Sequence, residues 1–258
     1  MSSRRAKRTW IRRTKVILTW AAGLWFAVVV CYRFIPPPIT PLIVIRSAQN
    51  WLQGEQPGRQ VQWIPLRDIP LAARQAIVTA EDARFMAHWG VDLQAVGMAI
   101  DDSDGKNRLR GASTITMQTV KNLFLWPGRS YARKVLEMMM APVAGLVWGK
   151  RRTLELYVNV IEWGPGIYGI EAATQEYFHH SARDLTVSEA ASLAAILPNP
   201  RKLSPQRMSR LTRRRYERII REWQGAEVPS VRAVSDGRRS RPGLPKTEPV
   251  KNVAVSNS

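Results

Sequence analysis

The chain has 258 residues, of which 45% are apolar, so its length and composition suit one domain of ordinary size with accessory segments. The formal net charge of +19 is concentrated at the ends, with seven Lys/Arg and no acid in residues 1–15, a net +10 in residues 201–258 and only +2 between them. Because no nucleic-acid-binding motif accompanies this charge, we exclude nucleic acid as a partner, and the single cysteine, Cys31, excludes an internal disulfide.

The first predicted element is a membrane anchor. Residues 16–32 are seventeen residues without a charge, and the stretch extends over 16–35 if Arg33 reaches the interface with its charged head. The positive charges upstream predict that residues 1–15 are a basic cytoplasmic segment. A cleaved signal peptide is the alternative, but no small-residue cleavage site follows the apolar run. We therefore predict a retained transmembrane anchor, with everything after residue 36 outside the cytoplasm.

A mainly α domain is predicted to follow. Residues 36–64 are predicted to be a proline-stiffened linker and lead-in segment, residues 65–205 the domain, and residues 206–258 a basic helix over 206–224 with a disordered tail. Residues 102–111 predict a mobile loop, and few segments alternate as strands do. The first predicted helix runs from Pro70 to about Ala83, the second covers 93–101 and is capped by Asp92, and the third covers 114–125 and is capped by Ser113. The fourth covers 131–148, is capped by Ser130 and should be kinked at Pro142. The fifth begins with a capping box of Thr186 and Glu189 and ends before Pro198.

The first motif with catalytic potential closes the Pro70 helix. Glu81 and Asp82 follow apolar residues, so they lie at the edge of a predicted core, where the pKa of a carboxyl group is raised toward a value that suits proton abstraction. Phe85 and His88 come next in the same motif. Taken alone, two adjacent acids are more often a solvated surface feature, and a lone histidine more often makes a structural hydrogen bond.

The second and third motifs carry cations. A glycine and hydroxyls at a helix start expose backbone donors to an anion, and Gln118 and Lys121 share one face of the helix that follows. A lysine there is well suited to phosphate oxygens. Arg133 and Glu137 lie at i and i+4, so they also face the same way. The alternatives are an ordinary capped amphipathic helix and a surface ion pair. Two later segments, 150–164 and 188–200, are predicted to be mainly structural.

Together these five segments resemble, in order and spacing, the glycosyltransferase family 51 domain of bifunctional penicillin-binding proteins and monofunctional peptidoglycan transglycosylases. The resemblance covers roughly residues 65–200, and the chain as a whole is similar to the monofunctional form. It implies a mainly α, lysozyme-like glycosyltransferase domain with a smaller membrane-proximal lobe. It also implies location at the bacterial inner (cytoplasmic) membrane, with the catalytic domain on the periplasmic side.

The resemblance also implies roles for individual residues. Glu81 matches the catalytic base and Glu137 the second essential carboxylate. Met117 stands where many members have a glutamine, which puts any contact made by that glutamine in doubt. The remaining matches imply substrate-binding roles for Asp82, Phe85, His88, Ser113, Thr114, Gln118, Lys121, Asn122, Arg133 and Lys134.

The resulting hypothesis is a peptidoglycan glycosyltransferase that polymerises lipid II onto a growing glycan chain by inverting transfer, with release of polyprenyl pyrophosphate. No cofactor is required by the sequence and no metal-ligand cluster is visible, although a divalent metal such as Mg²⁺ at the pyrophosphate is left open. Expected partners are membrane lipid and other cell-wall synthesis or division proteins. We further expect the apolar segment 123–126 to dip into the lipid surface.

Two alternative functions stay open: a lysozyme-like enzyme that cleaves glycan, and an inactive scaffold of a cell-wall assembly complex. A transpeptidase function is set aside. The serine-x-x-lysine match at Ser103 and Lys106 lies in the predicted loop, no partner motif follows it, and too little chain is left for a second domain.

Overall fold

A computed structural model of the chain describes residues 2–54, 61–101, 113–128 and 130–230. The predicted loop over 102–111, including Ser103 and Lys106, and the predicted tail beyond 230 lie outside the described residues. The helices are α1 Ser2–Phe34, α2 Pro41–Leu52, α3 Leu71–Glu81, α4 Leu93–Asp101, α5 Ile115–Phe124, α6 Tyr131–Val160, α7 Ile170–Phe178, α8 Val187–Ile196 and α9 Arg210–Glu222. Strands β1 Glu162–Gly164 and β2 Ile167–Tyr168 pair antiparallel, with Glu162 opposite Tyr168. The mainly α prediction is confirmed.

Most predicted caps are present. Oδ1 of Asp92 accepts from the backbone N–H groups of Gln94 and Ala95 at 3.0 and 3.1 Å, and Thr186 forms the predicted capping box with Glu189. These bonds satisfy backbone donors that have no partner inside the helix.

The predicted cap of α5 is wrong by one residue. Thr114, not Ser113, has the extended backbone of a cap and accepts from the N–H of Met117 at 3.1 Å. The hydroxyl of Ser113 instead accepts a hydrogen bond from Lys134 at 2.5 Å.

Helix α6 does not break where its proline predicts. The backbone keeps helical torsion angles through Pro142, and the one non-helical residue inside the element is Gly149, with φ 67° and ψ 170°. Glycine adopts positive φ without the steric cost that a Cβ brings, so the two helical halves of α6 meet there. The first half therefore ends at Trp148, as predicted.

The core of the domain forms where α5 packs along α6 and where α8 packs against both α3 and α9. Trp163, Tyr157, Tyr168 and Phe85 are its largest fully buried side chains. This packing brings the end of α3 and the middle of α5 together.

The anchor helix α1 is joined to this domain. Trp148 donates from Nε1 to the carbonyl of Val29 at 2.8 Å, and Arg152 donates to the carbonyls of Tyr32 and Ile35 at 2.8 and 2.9 Å. The last carbonyls of a helix have no intrahelical partner, so Arg152 supplies donors that the end of α1 needs. Residues Trp10–Phe34 are long and apolar enough to cross a membrane, which fits a single-pass anchor.

The expectation that the segment 123–126 dips into lipid stays a prediction, although two of its side chains are covered by protein. Leu123 and Leu125 are buried, and the ring of Phe124 stacks on Tyr32 and Trp148, with centroids 5.9 and 6.3 Å apart. Trp126 alone of the four keeps a large exposed fraction, 44%. The segment therefore fastens α5 to the anchor helix.

Candidate functional site

The site is built around Glu81, the last residue of α3. Its Oε2 accepts a hydrogen bond from Nε2 of Gln118 at 2.7 Å, and the hydroxyl of Tyr157 donates to Oε1 of the same glutamine at 3.4 Å. Tyr157 is fully buried in the core. This chain of bonds fixes the direction in which the carboxylate of Glu81 points.

Burial gives Glu81 the character of a base. Loss of water raises the pKa of its carboxyl group, because the charged form is less well solvated inside the protein. The bond from Gln118 and the positive charges of Arg215 and Lys121 act in the opposite direction and lower that pKa. The balance is a carboxylate with a raised pKa beside cations, which suits proton abstraction from a hydroxyl.

Asp82 and His88 hold the backbone of the site. Asp82 accepts from the N–H of Ile115 at 3.0 Å through Oδ2 and from Nε2 of His88 at 3.0 Å through Oδ1. The N–H of Gly90 donates to Nδ1 of His88 at 3.2 Å, which leaves Nε2 as the protonated nitrogen. Asp82 thereby ties the start of α5 to the end of α3.

Phe85 is buried in the core and lines neither cavity, so the substrate-binding role that the resemblance implied for it stays a prediction. The ammonium of Lys150 sits 4.4 Å from the centre of its ring and donates to the carbonyls of Phe85 and His88. We therefore assign these three residues to shaping the turn that follows Glu81.

The second predicted carboxylate, Glu137, is enclosed by cations. Nε of Arg133 lies 2.8 Å from its Oε1, although the N–H is not aligned for a hydrogen bond, and Nζ of Lys134 lies 3.5 Å from its Oε2. Glu137 is only 3% exposed. The negative charge of Glu137 therefore attracts Arg133 and Lys134 and keeps their side chains in place.

Lys121 interacts electrostatically with both carboxylates, Glu81 and Glu137. Burial lowers the pKa of its ammonium group, and the charges of Glu137 and Glu81 oppose that shift. Arg133 and Lys134 lower the pKa further because like charges repel. A partly buried cation next to other cations is a strong attractant for an anion of more than one charge.

Two cavities meet at this point. One, of about 610 Å³, is lined by Glu81 together with Asp82, Ser113, Thr114, Arg84, Arg215 and Arg218. The other, of about 380 Å³, is lined by Asn122 and Arg133 together with Trp126, Arg46, Glu162 and Arg201. We name them the Glu81 cavity and the Arg133 cavity. Both are lined by Gln118, Lys121, Leu197 and Pro198, so two ligands could meet across Lys121.

The structure therefore brings most of the sequence-predicted residues to one place. Lys134 and Glu137 stand behind Arg133, and Phe85 and His88 do not line either cavity. The predicted residues that line a cavity are Glu81, Asp82, Ser113, Thr114, Gln118, Lys121, Asn122 and Arg133.

Five arginines of the cavities were missed by the sequence reasoning, and one of them, Arg84, lies inside the first motif. Arg215 and Arg218 belong to α9, whose Ile219 is buried in the core while the arginines before it face the Glu81 cavity. The spacing of Arg215 and Ile219, one helical turn, was a usable signal that this basic helix packs on the domain. Arg46 and Arg201 lie far from the motifs in sequence, and no local signal identifies them.

A metal centre has little support in the described parts of the chain. No group of three or more His, Cys, Asp or Glu side chains there is arranged to hold a metal ion. Both oxygens of Glu137 already face cations.

Comparison with known proteins agrees with this geometry. The profile of the Transglycosylase family matches residues 49–224. A biosynthetic peptidoglycan transglycosylase of Rhodospirillum centenum is 45% identical over 211 residues, which cover 82% of this chain and 89% of that protein. Proteins of the same name from Bdellovibrio bacteriovorus and Stutzerimonas stutzeri are 44% and 40% identical, covering 83% and 81% of this chain and 84% and 86% of their own lengths. The chain therefore belongs to the transglycosylase family.

Proposed function

We propose that this chain is a peptidoglycan glycosyltransferase that polymerises lipid II into glycan strands with release of polyprenyl pyrophosphate. One observation carries the proposal: a partly buried carboxylate, Glu81, faces one cavity, and Lys121 lies where that cavity meets a second one lined by Arg133. A base on one side and phosphate-binding cations on the other are what this transfer requires.

The transfer is an inverting displacement. The 4-hydroxyl of an incoming lipid II attacks the anomeric carbon of the growing chain, and Glu81 takes the proton of that hydroxyl. The new glycosidic C–O bond forms as the bond from the same carbon to the pyrophosphate oxygen breaks. The electron pair leaves with the pyrophosphate, which stays attached to its polyprenyl chain.

The leaving group needs charge stabilisation more than a proton. Lys121 and Arg133 supply it directly, and Lys134 adds to the field behind them. Glu137 keeps Arg133 and Lys134 in place through contacts of 2.8 and 3.5 Å, and its negative charge helps Lys121 to stay protonated although it is partly buried. We assign no resident cofactor, and a divalent ion such as Mg²⁺ carried by the pyrophosphate is the alternative.

The proposed location follows from the anchor. The seven positive charges of residues 1–15 favour a cytoplasmic N-terminus, so the catalytic domain would lie on the outer face of the bacterial inner membrane, where lipid II is polymerised. Other cell-wall synthesis or division proteins are its proposed partners.

Glycan cleavage is the alternative closest in chemistry. A cleaving enzyme protonates a sugar leaving group and needs little phosphate-binding charge, and its second carboxyl group must be free to act on the sugar or a water. The raised pKa of Glu81 would suit the acid, but Glu137 is enclosed by cations. The cluster of Lys121 and Arg133 therefore favours transfer from pyrophosphate.

The test is product analysis with the purified full-length chain. With lipid II as the only substrate, we expect long glycan strands and free polyprenyl pyrophosphate. Lys121→Ala should abolish most turnover, whereas Lys202→Ala, an exposed lysine that lines neither cavity, should behave like wild type. Release of muropeptides from finished strands, without polymerisation of lipid II, would favour cleavage, and binding of wall proteins without either activity would favour a scaffold.

A further inference from the structure

The Arg133 cavity is lined by a second set of charged residues that the proposed mechanism does not use. Arg46 of α2, Glu162 of β1 and Arg201 line the cavity together with Lys121 and Arg133. Lys121 and Arg133 are engaged by the carboxylates of the catalytic cluster, while Arg46 and Arg201 come from other parts of the fold. We name Arg46, Glu162 and Arg201 the Arg46 cluster.

The carboxylate of the cluster is enclosed and its arginines are more accessible. The side chain of Glu162 is 8% exposed, against 26% for Arg46 and 27% for Arg201. Its Oε2 lies 3.5 Å from Nε of Arg46 and its Oε1 lies 4.0 Å from Nε of Arg201. Both contacts are long, so neither guanidinium group is closely engaged by Glu162.

Two buried polar atoms in and beside the cluster have no hydrogen-bond partner. Nε of Arg46 and the hydroxyl of Tyr168 are buried without a hydrogen-bond partner, and Tyr168 stands opposite Glu162 across the two-stranded sheet. The other contacts of the arginines are neutral: Arg46 donates to the side-chain oxygen of Gln49 at 3.0 Å and Arg201 to that of Asn50 at 3.5 Å. Two positive charges therefore face one negative charge at a cavity wall, and the excess is suited to a further anion.

The chemistry of the substrate identifies that anion, on the basis of the proposed function. A peptidoglycan glycosyltransferase acts on a molecule with two kinds of negative group, the pyrophosphate and the carboxylates of the attached peptide. Lys121 and Arg133 account for the pyrophosphate in that cavity. Arginine forms paired hydrogen bonds with a carboxylate through its planar fork, which suits the second kind of group.

We infer that Arg46 and Arg201 form a subsite for a peptide carboxylate of the glycan substrate, with Glu162 spacing the two guanidinium groups. The subsite selects substrates by their peptide and is separate from the groups that perform the transfer. It also gives α2 a function, because Arg46 reaches the cavity from that helix.

The experiment compares two forms of lipid II, one with free peptide carboxylates and one with the same carboxylates amidated, using wild type and the Arg46→Gln, Arg201→Gln double variant. We expect wild type to show a KM about tenfold lower for the free form, and the double variant to lose that preference. Arg183→Gln is the matched control, because Arg183 is 63% exposed, pairs with Asp68 and lines neither cavity.

A second measurement separates this inference from the proposed function. Calorimetric binding of a soluble glycan–peptide fragment, free or amidated, should show the same preference in wild type without any turnover. Polymerisation without discrimination between the two forms would overturn the subsite and leave the proposed function standing. A binding preference without polymerisation would support the subsite and contradict the proposed function. An equal rise in KM for both forms in the double variant would also overturn it, because the arginines would then support α2 or bind a phosphate.

Discussion

Gln118 donates a hydrogen bond from Nε2 to Oε2 of Glu81 at 2.7 Å, and this bond joins the middle of α5 to the last residue of α3. A hydrogen bond to a carboxylate favours its charged form, whereas burial favours the neutral form. The two effects oppose each other at Glu81, so Gln118 keeps the proposed base able to accept a proton.

Removing that bond should shift the pH dependence of the reaction. In Gln118→Ala the pKa of Glu81 rises further, because burial remains and the opposing hydrogen bond is gone. The acidic limb of the kcat/KM profile should therefore move to higher pH, with the largest loss of rate at low pH. Gln175→Ala, whose side chain bonds Glu171 on α7, is the control. An unchanged limb in Gln118→Ala would mean that the bond does not tune the base.

Arg215 provides an electrostatic test of the same carboxylate. Its positive charge lowers the pKa of Glu81, so Arg215→Ala should also move the acidic limb of the kcat/KM profile to higher pH. Arg218 lines the same cavity but is exposed to solvent, which makes Arg218→Ala the matched control. Equal shifts in both variants would indicate a general effect of net charge.

Glu137→Gln should cost both stability and activity. The substitution leaves Arg133 and Lys134 without their buried counter-charge, a change that typically lowers the free energy of unfolding by about 3–5 kcal/mol. It also removes a charge that raises the pKa of Lys121, so the alkaline limb of kcat/KM should move to lower pH. Denaturant unfolding and the pH profile check the two effects, with the exposed Glu217→Gln as control. Wild-type stability in Glu137→Gln would contradict the buried ion cluster.

Gly90 is expected to tolerate no side chain. It has φ +128°, and a Cβ atom there would lie 2.4 Å from the carbonyl oxygen of Ala141 on α6. Gly90→Ala should therefore lower the free energy of unfolding by about 3 kcal/mol or more, through overpacking and backbone strain together. Gly97→Ala is the control, because nothing lies within 4 Å of its Cβ and alanine favours the helical backbone of α4. Equal melting temperatures for the two variants would show that α6 does not approach Gly90 so closely.

Local signals in the sequence were sufficient for much of the fold. Asp92 and the pair of Thr186 and Glu189 were predictable because a cap depends on residues within one turn. The end of the first half of α6 at 148 was predicted, but the kink expected at Pro142 was wrong, because the break lies at Gly149, which takes the positive φ that the next half-helix requires. Ser113 and Thr114 carry the same hydroxyl chemistry, and only the distant Lys134 decides that Ser113 is used elsewhere.

In the candidate site, too, residues within local motifs were predictable and residues brought in by long-range packing were not. The resemblance pointed to Glu81, Gln118 and Lys121, which the structure brings to the meeting point of the cavities. Phe124 could not be placed from its apolar neighbours, because its partners come from α1 and α6, far along the chain. Arg46 and Arg215 reach the cavities only through the packing of α2 and α9, and such long-range packing has no local signature.

The role of Glu81 is tested most directly by the rate of lipid II polymerisation in Glu81→Gln. The amide keeps the shape of the side chain but cannot accept the proton, so we expect turnover to fall by about a hundredfold or more. Because the pKa of Glu81 is raised by burial, the carboxylate destabilises the fold as pH rises through that pKa, and Glu81→Gln should melt at a temperature equal to or above that of wild type at neutral pH. A folded Glu81→Gln protein that polymerises lipid II at a near-normal rate would contradict the assignment of Glu81 as the base.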